Sequence, residues 1–133
     1  MENKFSEGLT KVFKQSKSEA KRLHSEFLST EHFLLGIIQT DNSAKEILEN
    51  LQADLTQIRR KIENMNVNTN PFSEEKENIS LTKLADYAVK RADLECRQYR
   101  ASEINTVHLL LGILYKMEDP TTNILSAYEI DYD

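Results

Sequence analysis

The stretch TEHFLLGII at residues 30–38 decides the fold, and it occurs a second time, as TVHLLLGIL, at residues 106–114. Each copy is apolar on nearly every side of a helix, and such a helix must be buried among other elements. The two copies lie 76 positions apart and share a Thr-x-His start and a glycine as well as their apolar residues. A repeat of this specificity indicates one structural unit present twice in the chain.

The same offset continues towards the N-terminal side of each copy. Apolar residues from Phe5 to Leu23 recur at helical spacing, which predicts an amphipathic helix with one buried stripe. Ser6 is the predicted N-cap of this helix. Glu19 meets Glu95 at the same offset. Apolar positions meet apolar positions in five further pairs: Leu9 and Ala85, Val12 and Ala88, Phe13 and Val89, Ala20 and Cys96, Leu23 and Tyr99.

Further capping signals complete the first repeat. Thr30 is the predicted N-cap of the helix that carries TEHFLLGII. The tripeptide DNS at 41–43 predicts a turn and a new N-cap, before a short third helix. Asp54 and Gln57 have capping-box spacing ahead of a fourth amphipathic helix. Leu35 and Leu111, inside the most apolar helix of each half, are predicted to be buried.

These signals predict an all-α fold of two pseudo-symmetric four-helix repeats packed as one bundle. Residues 1–133 form a single domain, with repeat one at about 5–65, a linker at about 66–79 in the Asn-rich stretch 64–80, and repeat two at about 80–133. Repeat two is expected to be incomplete, its last helix truncated, because its fourth helix would begin near Asp133. We therefore expect the chain to be a fragment of a longer polypeptide.

The composition agrees with helices and excludes several classes of function. Three glycines and two prolines are too few for a protein made of strands and turns. The net charge of −5 and the lack of an evident basic stripe argue against nucleic acid as a partner. The single cysteine, Cys96, excludes an internal disulfide and fits a reducing compartment. With no signal-peptide core and no apolar run of bilayer length, we expect a cytoplasmic protein without a membrane partner.

The residues capable of catalysis favour a chain that is not an enzyme. Gly8, Gly36 and Gly112 are the only glycines and none stands in a P-loop context, so ATP hydrolysis by that motif is excluded. Cys96 falls on a helix stripe, which favours a small core residue over a nucleophile. His32 and His108 lack a further ligand at i+4 spacing, so local hydrogen bonding at a helix start is favoured over a metal site.

Two features near the helix starts remain. His24 lies in a polar stretch and is expected to be exposed. Thr30-Glu31 combines free N–H groups at a helix N-terminus with a carboxylate, an arrangement that suits a ligand carrying both an anion and a guanidinium. The simpler interpretation is that Glu31 complements the helix dipole, which contributes about 0.3–1 kcal/mol. Local chemistry alone favours that simpler interpretation.

The repeated TEHFLLGI segment, preceded by SEAKRL at 18–23, resembles the Clp N-terminal (repeat) domain of the Clp AAA+ unfoldases, most nearly their ClpC branch. The resemblance extends from Phe5 to Tyr132. It implies a mobile module that receives adaptor and substrate proteins and passes them to ATPase rings and a ClpP-type peptidase. No cofactor is then expected in this domain, since ATP and Mg²⁺ belong to the ATPase modules.

The resemblance also implies a specific ligand. In some ClpC-type relatives this domain binds phosphoarginine once per half, through the Glu of Thr-Glu-His. The residues here that would take this part are Glu31, Thr30 and Ser6. The second half has Val107, which cannot accept a hydrogen bond from a guanidinium, so we expect its site to be lost. Ser29 and Asn105 stand where relatives often have glycine.

Two other interpretations remain open from the sequence. The chain could be a stand-alone Clp-repeat binding module with no attached ATPase, and the length of the parent gene would decide this. A small metal-dependent or thiol enzyme would have to use His32, His108 and Cys96, and metal analysis of the purified protein would test it.

Overall fold

The computed structural model describes residues 4–23, 27–65, 80–98, 100–115 and 125. Helices make up most of this part of the chain, which confirms the all-α class. The elements are, in order, β1 (Lys4–Phe5), α1 (Glu7–Arg22), β2 (Phe27–Leu28), α2 (Thr30–Gln39), α3 (Ser43–Asn50), α4 (Leu55–Met65), β3 (Ser80–Leu81), α5 (Lys83–Gln98), β4 (Glu103–Ile104) and α6 (Thr106–Tyr115).

The four short strands join the two halves crosswise. β1, which precedes α1, pairs in parallel with β4, which precedes α6; β2, which precedes α2, pairs in parallel with β3, which precedes α5. A backbone hydrogen bond continues each pair, since Ser6 N–H donates to Ile104 O (2.8 Å) and Thr82 N–H donates to Leu28 O (3.0 Å). The 76-residue offset relates the residues of the first hydrogen bond to those of the second, with the two halves exchanged. The halves are therefore related by a pseudo-twofold axis.

The two copies of the apolar repeat form the centre of the domain. α1 packs on α2 and α5 on α6, and the halves meet through α1 with α6 and α2 with α5. In α2 the whole stretch from His32 to Ile38 is buried, as the sequence predicts. Leu35 is fully buried, but the expectation for Leu111 is wrong because its side chain is only partly buried. α4 packs on α2 in the first half, whereas the corresponding part of the second half lies outside the described residues.

Phe5 also departs from its expected place. The sequence assigns it to the buried stripe of α1, yet it lies in β1 and its side chain is 46% exposed. The helix begins only at Glu7, because Ser6 has extended backbone and its Oγ accepts from Leu9 N–H (3.1 Å) as the predicted N-cap. Phe5 is therefore held by strand pairing rather than by the stripe.

Ser29, not Thr30, is the N-cap of α2, since Thr30 is the first helical residue and is buried. The equivalent Thr106 shows what such a buried hydroxyl does: its Oγ1 accepts from Ala44 N–H (3.2 Å) at the start of α3, in the other half. In the second half, the first helical hydroxyl is thus used for a contact between elements rather than as a cap.

The other predicted caps are confirmed. Asn42 caps α3, its Oδ1 accepting from Lys45 N–H (2.8 Å), and Asp54 Oδ1 accepts from Gln57 N–H (3.1 Å) at the start of α4. α4 continues through Met65, and Ser80 already belongs to β3. The predicted linker at 66–79, and the expected helices of repeat two beyond residue 115 apart from helical Leu125, lie outside the described residues.

A steric constraint explains why both repeats have a glycine where α2 meets α1 and where α6 meets α5. A Cβ on Gly36 would lie 2.6 Å from Val12 O and would overlap Ser16 Oγ. A Cβ on Gly112 would overlap Ala88 O, at the equivalent place in the second half. Each central helix thus touches the backbone of the helix before it, and only a residue without a Cβ permits that approach.

We predict that Gly36→Ala lowers the free energy of unfolding by about 1–3 kcal/mol, because the two helices must separate to admit the methyl group. Gly8→Ala is the matched control: its Cβ would meet only Thr106 Cγ2, at 3.9 Å. That change should be neutral or stabilise by up to about 1 kcal/mol. Urea unfolding followed by circular dichroism measures both. Equal midpoints for Gly36→Ala and the parent chain would contradict the close helix contact.

Candidate functional site

The histidine of each repeated segment closes the first turn of its own helix. Ser29 N–H donates to His32 Nδ1 and Asn105 N–H donates to His108 Nδ1, both at 3.0 Å. A ring nitrogen that accepts a hydrogen bond carries no proton, so both rings are neutral with the proton on Nε2. Histidine here takes the part that Glu or Gln plays in a capping box. This geometry confirms the interpretation of local hydrogen bonding at a helix start.

Neither the histidines nor the cysteine belongs to a visible catalytic or metal cluster. Over the part of the chain that the structure describes, no group of three or more His, Cys, Asp or Glu side chains is placed to hold a metal ion. Cys96 is fully buried, and that burial raises the pKa of its thiol, which opposes formation of the nucleophilic thiolate. The structure thus confirms Cys96 as a small core residue. His24 lies outside the described residues.

A buried carboxylate lies beside the core in each half, at equivalent positions. Glu19 is 4% exposed and its Oε2 lies 2.6 Å from Arg22 Nε; Glu95 is fully buried and its Oε1 lies 3.1 Å from Arg91 Nη2. The hydrogen bond that Arg22 donates to Glu19 raises the pKa of Arg22. Since removal of one partner would leave an uncompensated buried charge, these pairs serve the structure. The sequence signal for these pairs was a glutamate that recurs at the 76-residue offset, next to the apolar stripe of the first helix in each half.

The crossed strands decide which candidate residues lie together. β2 and β3 bring the N-termini of α2 and α5 side by side, and we call this place, with Thr30, Glu31 and Thr82, the Glu31 site. β1 and β4 bring the N-termini of α1 and α6 together, and we call that place, with Ser6 and Val107, the Val107 site. Ser6 is therefore at the opposite site from Thr30 and Glu31. Thr82, not Ser6, is the hydroxyl residue next to Glu31.

The individual side chains differ in their access to a ligand. Thr30 is only 1% exposed, so its hydroxyl lies inside the protein. Ser6 Oγ is engaged as an N-cap. Glu31 is partly exposed in the first turn of α2, and it forms no ion pair with any residue that the structure describes. Of the three candidates, only Glu31 presents its side chain at the surface unoccupied by such a contact.

The two helix starts also differ in their free backbone donors. At the Val107 site, Asn105 Oδ1 accepts from Val107 N–H (2.9 Å) and from His108 N–H (3.2 Å), so a side chain already fills the position of an anion. At the Glu31 site the corresponding residue is Ser29, whose Oγ lies 3.1 Å from His32 Nδ1. The Ser29 side chain also accepts from the backbone N–H of His32 in the capping box, so it engages one backbone donor here, whereas Asn105 engages two. The pseudo-symmetric halves are chemically unequal here.

An apolar groove with a volume of about 280 Å³ opens where the two halves meet. Phe5 and Leu81 occupy equivalent positions in the repeats and so do Phe13 and Val89, so the groove crosses the pseudo-twofold axis. The Phe5 and Phe13 rings lie edge to face with centroids 5.2 Å apart, and Phe13 contacts Phe33 at 5.4 Å. Its described lining consists of Phe5, Phe13, Lys17, Leu28, Phe33, Leu81 and Val89.

The groove was missed in the sequence analysis, although one signal for it is present. Large apolar residues, Phe5 and Leu81, precede the first helix of each half at the same offset. Strand pairing leaves them 46% and 40% exposed. An apolar residue that recurs in both repeats but lies outside the helix stripe could have indicated a surface groove.

Duplicated helices, crossed strand pairs and a groove on the axis define a pseudo-twofold helical repeat domain. The chain belongs to the family of the Clp repeat (R) N-terminal domain, whose family model matches residues 4–128. This agrees with the resemblance found in the sequence.

Relatives and solved structures agree with this family. The chain is 30% identical over 132 residues to a probable ATP-dependent Clp protease ATP-binding subunit of Chlamydia pneumoniae, covering 98% of this chain and 16% of that protein. It is also 30% identical to the chloroplastic chaperone protein ClpC2 of Oryza sativa, covering 98% of this chain and 14% of that one. The fold matches the Hsp104 N-terminal domain of Candida albicans with a TM-score of 0.76 at 19% identity, covering 98% of this chain and 85% of that one.

The chain thus spans 16% or less of the length of the two relatives named above. Among the described residues, no helix combines the length and the apolar character that crossing a membrane would need.

We predict that stability falls as the pH drops below the ordinary histidine value. Burial lowers the pKa of His108 below 6.5, although Glu95 acts in the opposite direction. As the pH falls, the unfolded chain therefore binds a proton at His108 before the folded chain does. The contribution of neutral His108 to the free energy of unfolding is complete above pH 6.5, and it is lost as the pH falls from there towards the pKa of the folded state. The slope should reach at most about 1.4 kcal/mol per pH unit for this one proton.

Urea unfolding between pH 7.5 and pH 5.5 measures this effect. His108→Asn is the comparison, because an amide oxygen can accept the Asn105 N–H bond but does not titrate in this range. The variant should show a shallower loss of stability with pH than the parent chain. Parallel profiles for the two proteins would contradict the assignment to His108.

Proposed function

We propose that this domain is the substrate- and adaptor-recognition domain of a Clp-type AAA+ unfoldase, nearest to the ClpC type, and that it binds polypeptide without catalysing a reaction. Membership of the Clp repeat family and the names of its relatives support this. In this proposal the ATPase modules of the whole protein bind ATP and Mg²⁺ and deliver the substrate to a ClpP-type peptidase. The location would be cytoplasmic, in line with the free, buried Cys96.

The apolar groove is the observation that supports polypeptide binding best. Its walls are aromatic and aliphatic, and about 280 Å³ is enough for apolar side chains but lies below the usual range for drug-sized ligands. Phe5 and Leu81 at its mouth are half exposed, so an incoming side chain would remove them from water. Burial of apolar area contributes about 25 cal/mol per Å², which favours loosely specific binding of unfolded segments.

Leu81→Glu should weaken binding of an unfolded protein at least fivefold, because it places a charge at the apolar mouth of the groove. Leu94→Glu is the matched control: Leu94 is 51% exposed and does not line the groove. The chain contains no tryptophan, so tryptophan fluorescence of reduced, carboxymethylated α-lactalbumin reports the binding directly. Equal affinities for the two variants would exclude the groove as the binding surface.

We further propose that the Glu31 site binds the phosphoarginine of a tagged substrate. The phosphate would approach the backbone N–H groups at the starts of α2 and α5, and the Glu31 carboxylate would accept from the guanidinium. Two observations favour this site over its counterpart: the Glu31 side chain is accessible, and Asn105 occupies the donors at the Val107 site. Of the other two sequence candidates, Thr30 is buried and would contribute only its backbone, and Ser6 lies at the Val107 site and would take no part.

Calorimetric titration with free phosphoarginine should give about one site per chain. Glu31→Ala should weaken binding roughly 10- to 100-fold, because a hydrogen bond to a charged group contributes about 1.5–3 kcal/mol. Glu7→Ala, which removes an exposed acid from the first turn of α1, is the control and should have no effect. The double variant Asn105→Gly/Val107→Glu should add a second site. No heat of binding at millimolar ligand would exclude this activity and leave polypeptide binding intact.

A further inference from the structure

One charged side chain lies in the wall of the apolar groove. Lys17, on α1, follows Phe13 by one helical turn, and every other described lining residue is apolar. Lys17 is exposed, and it makes no ion pair within the described part of the chain. A cation in this place offers an incoming chain an electrostatic contact next to an apolar one.

Lys17 is the middle member of a row. Lys14 and Lys21 stand three residues before it and four after it, so the three ammonium groups share one face of α1. All three side chains are exposed, and none forms an ion pair with a described residue. No basic stripe was identified in the sequence, yet these three lysines form a short local row.

The second repeat provides an internal comparison for the lysine row. Its equivalent positions on α5 are Lys90, Asp93 and Arg97. There the charges neutralise one another, since Lys90 Nζ lies 2.9 Å from Asp86 Oδ2 and Arg97 Nη2 lies 3.1 Å from Asp93 Oδ2. The same surface is therefore compensated in one half and left cationic in the half that borders the groove with Lys17.

We propose that the groove prefers acidic polypeptide segments: an apolar side chain enters the groove, and carboxylates close to it in sequence lie along the lysine row. This inference rests on the proposed polypeptide-binding function and names its substrate class. Exposed charge pairs contribute little each, about 0.2–1 kcal/mol, but several in a row add selectivity and speed association. A row of only three lysines on an otherwise acidic chain suits a short acidic peptide better than a nucleic acid.

The test uses three synthetic peptides of about twelve residues that share a Leu-Trp-Leu centre and differ in the three residues after it: Asp, Asn or Lys. Peptide tryptophan fluorescence gives the affinity at low salt and at about 0.5 M NaCl, where exposed charges are screened. We expect the Asp peptide to bind about tenfold more tightly than the Asn peptide at low salt, with the difference largely lost at high salt. The Lys peptide should bind most weakly.

Substitutions assign the preference to the lysine row. Lys17→Gln should weaken the Asp peptide about three- to fivefold more than it weakens the Asn peptide, while Lys17→Arg should keep the preference. Lys11→Gln is the control: Lys11 lies on the same helix but its Nζ is 3.7 Å from Glu7 Oε1, and the change should have no effect.

The outcomes separate this inference from the function on which it rests. If the Asp and Asn peptides bind equally well, and Leu81→Glu weakens both, the proposed preference for acidic segments is wrong. The groove is then still the polypeptide-binding surface. If no peptide binds, the polypeptide-binding function fails and the preference falls with it. A single-stranded DNA of about twelve nucleotides that displaces the Asp peptide at equal affinity would also overturn the inference, because the row would then be a general anion site.

Discussion

The contact on which the rest of the structure depends is between a glycine of each central helix and the backbone of the helix before it. Gly36 lies against Val12 O, and Gly112 lies against Ala88 O. Because these helices approach without a side chain between them, α2 and α6 can bury most of their side chains among the other elements. The groove exists for the same reason: the rings of Phe13 and Phe33, on the two helices joined by the Gly36 contact, form its floor.

The pseudo-symmetry creates pairs of equivalent positions, and at some of these positions the residues differ between the two halves. At the helix starts, His32 and His108 accept the same hydrogen bond, yet Asn105 engages two backbone donors at one site and Ser29 engages one at the other. On the surface of the first helix of each half, Lys14, Lys17 and Lys21 of α1 form no ion pair with a described residue, while acids pair with the cations of α5. In both cases the residues that differ lie outside the fully buried core, and the glycine contact between the helices is kept in both halves.

Much of this fold could be predicted from the sequence because its strongest signal is periodic and repeated. The burial of α2 follows from a segment that is apolar on every side, and the duplication follows from one constant offset. The place of Phe5 could not be predicted, because helical spacing defines a stripe but does not tell where the helix begins. The strands were not predicted either, since two residues are too few for an alternating pattern.

The candidate site shows a different limit. Local chemistry in the sequence combined Thr30 with Glu31, and the family resemblance added Ser6 as a third candidate. Strand pairing between repeats instead places Thr82 beside Glu31 and Ser6 beside Val107. A repeat in a sequence does not show whether the residues of one site come from a single repeat or from both repeats. The burial of Thr30 and the hydrogen bonds that Asn105 Oδ1 accepts distinguish the side chains that face a ligand from those that serve the fold.

The crossed strand pairs have a consequence for how this domain must fold. Each half has one strand before its first helix and one before its second, and both are paired only with the other half. One repeat alone would expose these backbone donors and acceptors, and a second identical copy would satisfy them through an isologous twofold contact. Within one chain the two copies are held at high effective concentration, but the pairings span 99 and 53 positions (Lys4 with Glu103, Phe27 with Ser80). Assembly must therefore bring together distant parts of the chain, which makes the two repeats one cooperative unit and slows folding relative to a bundle with local contacts alone.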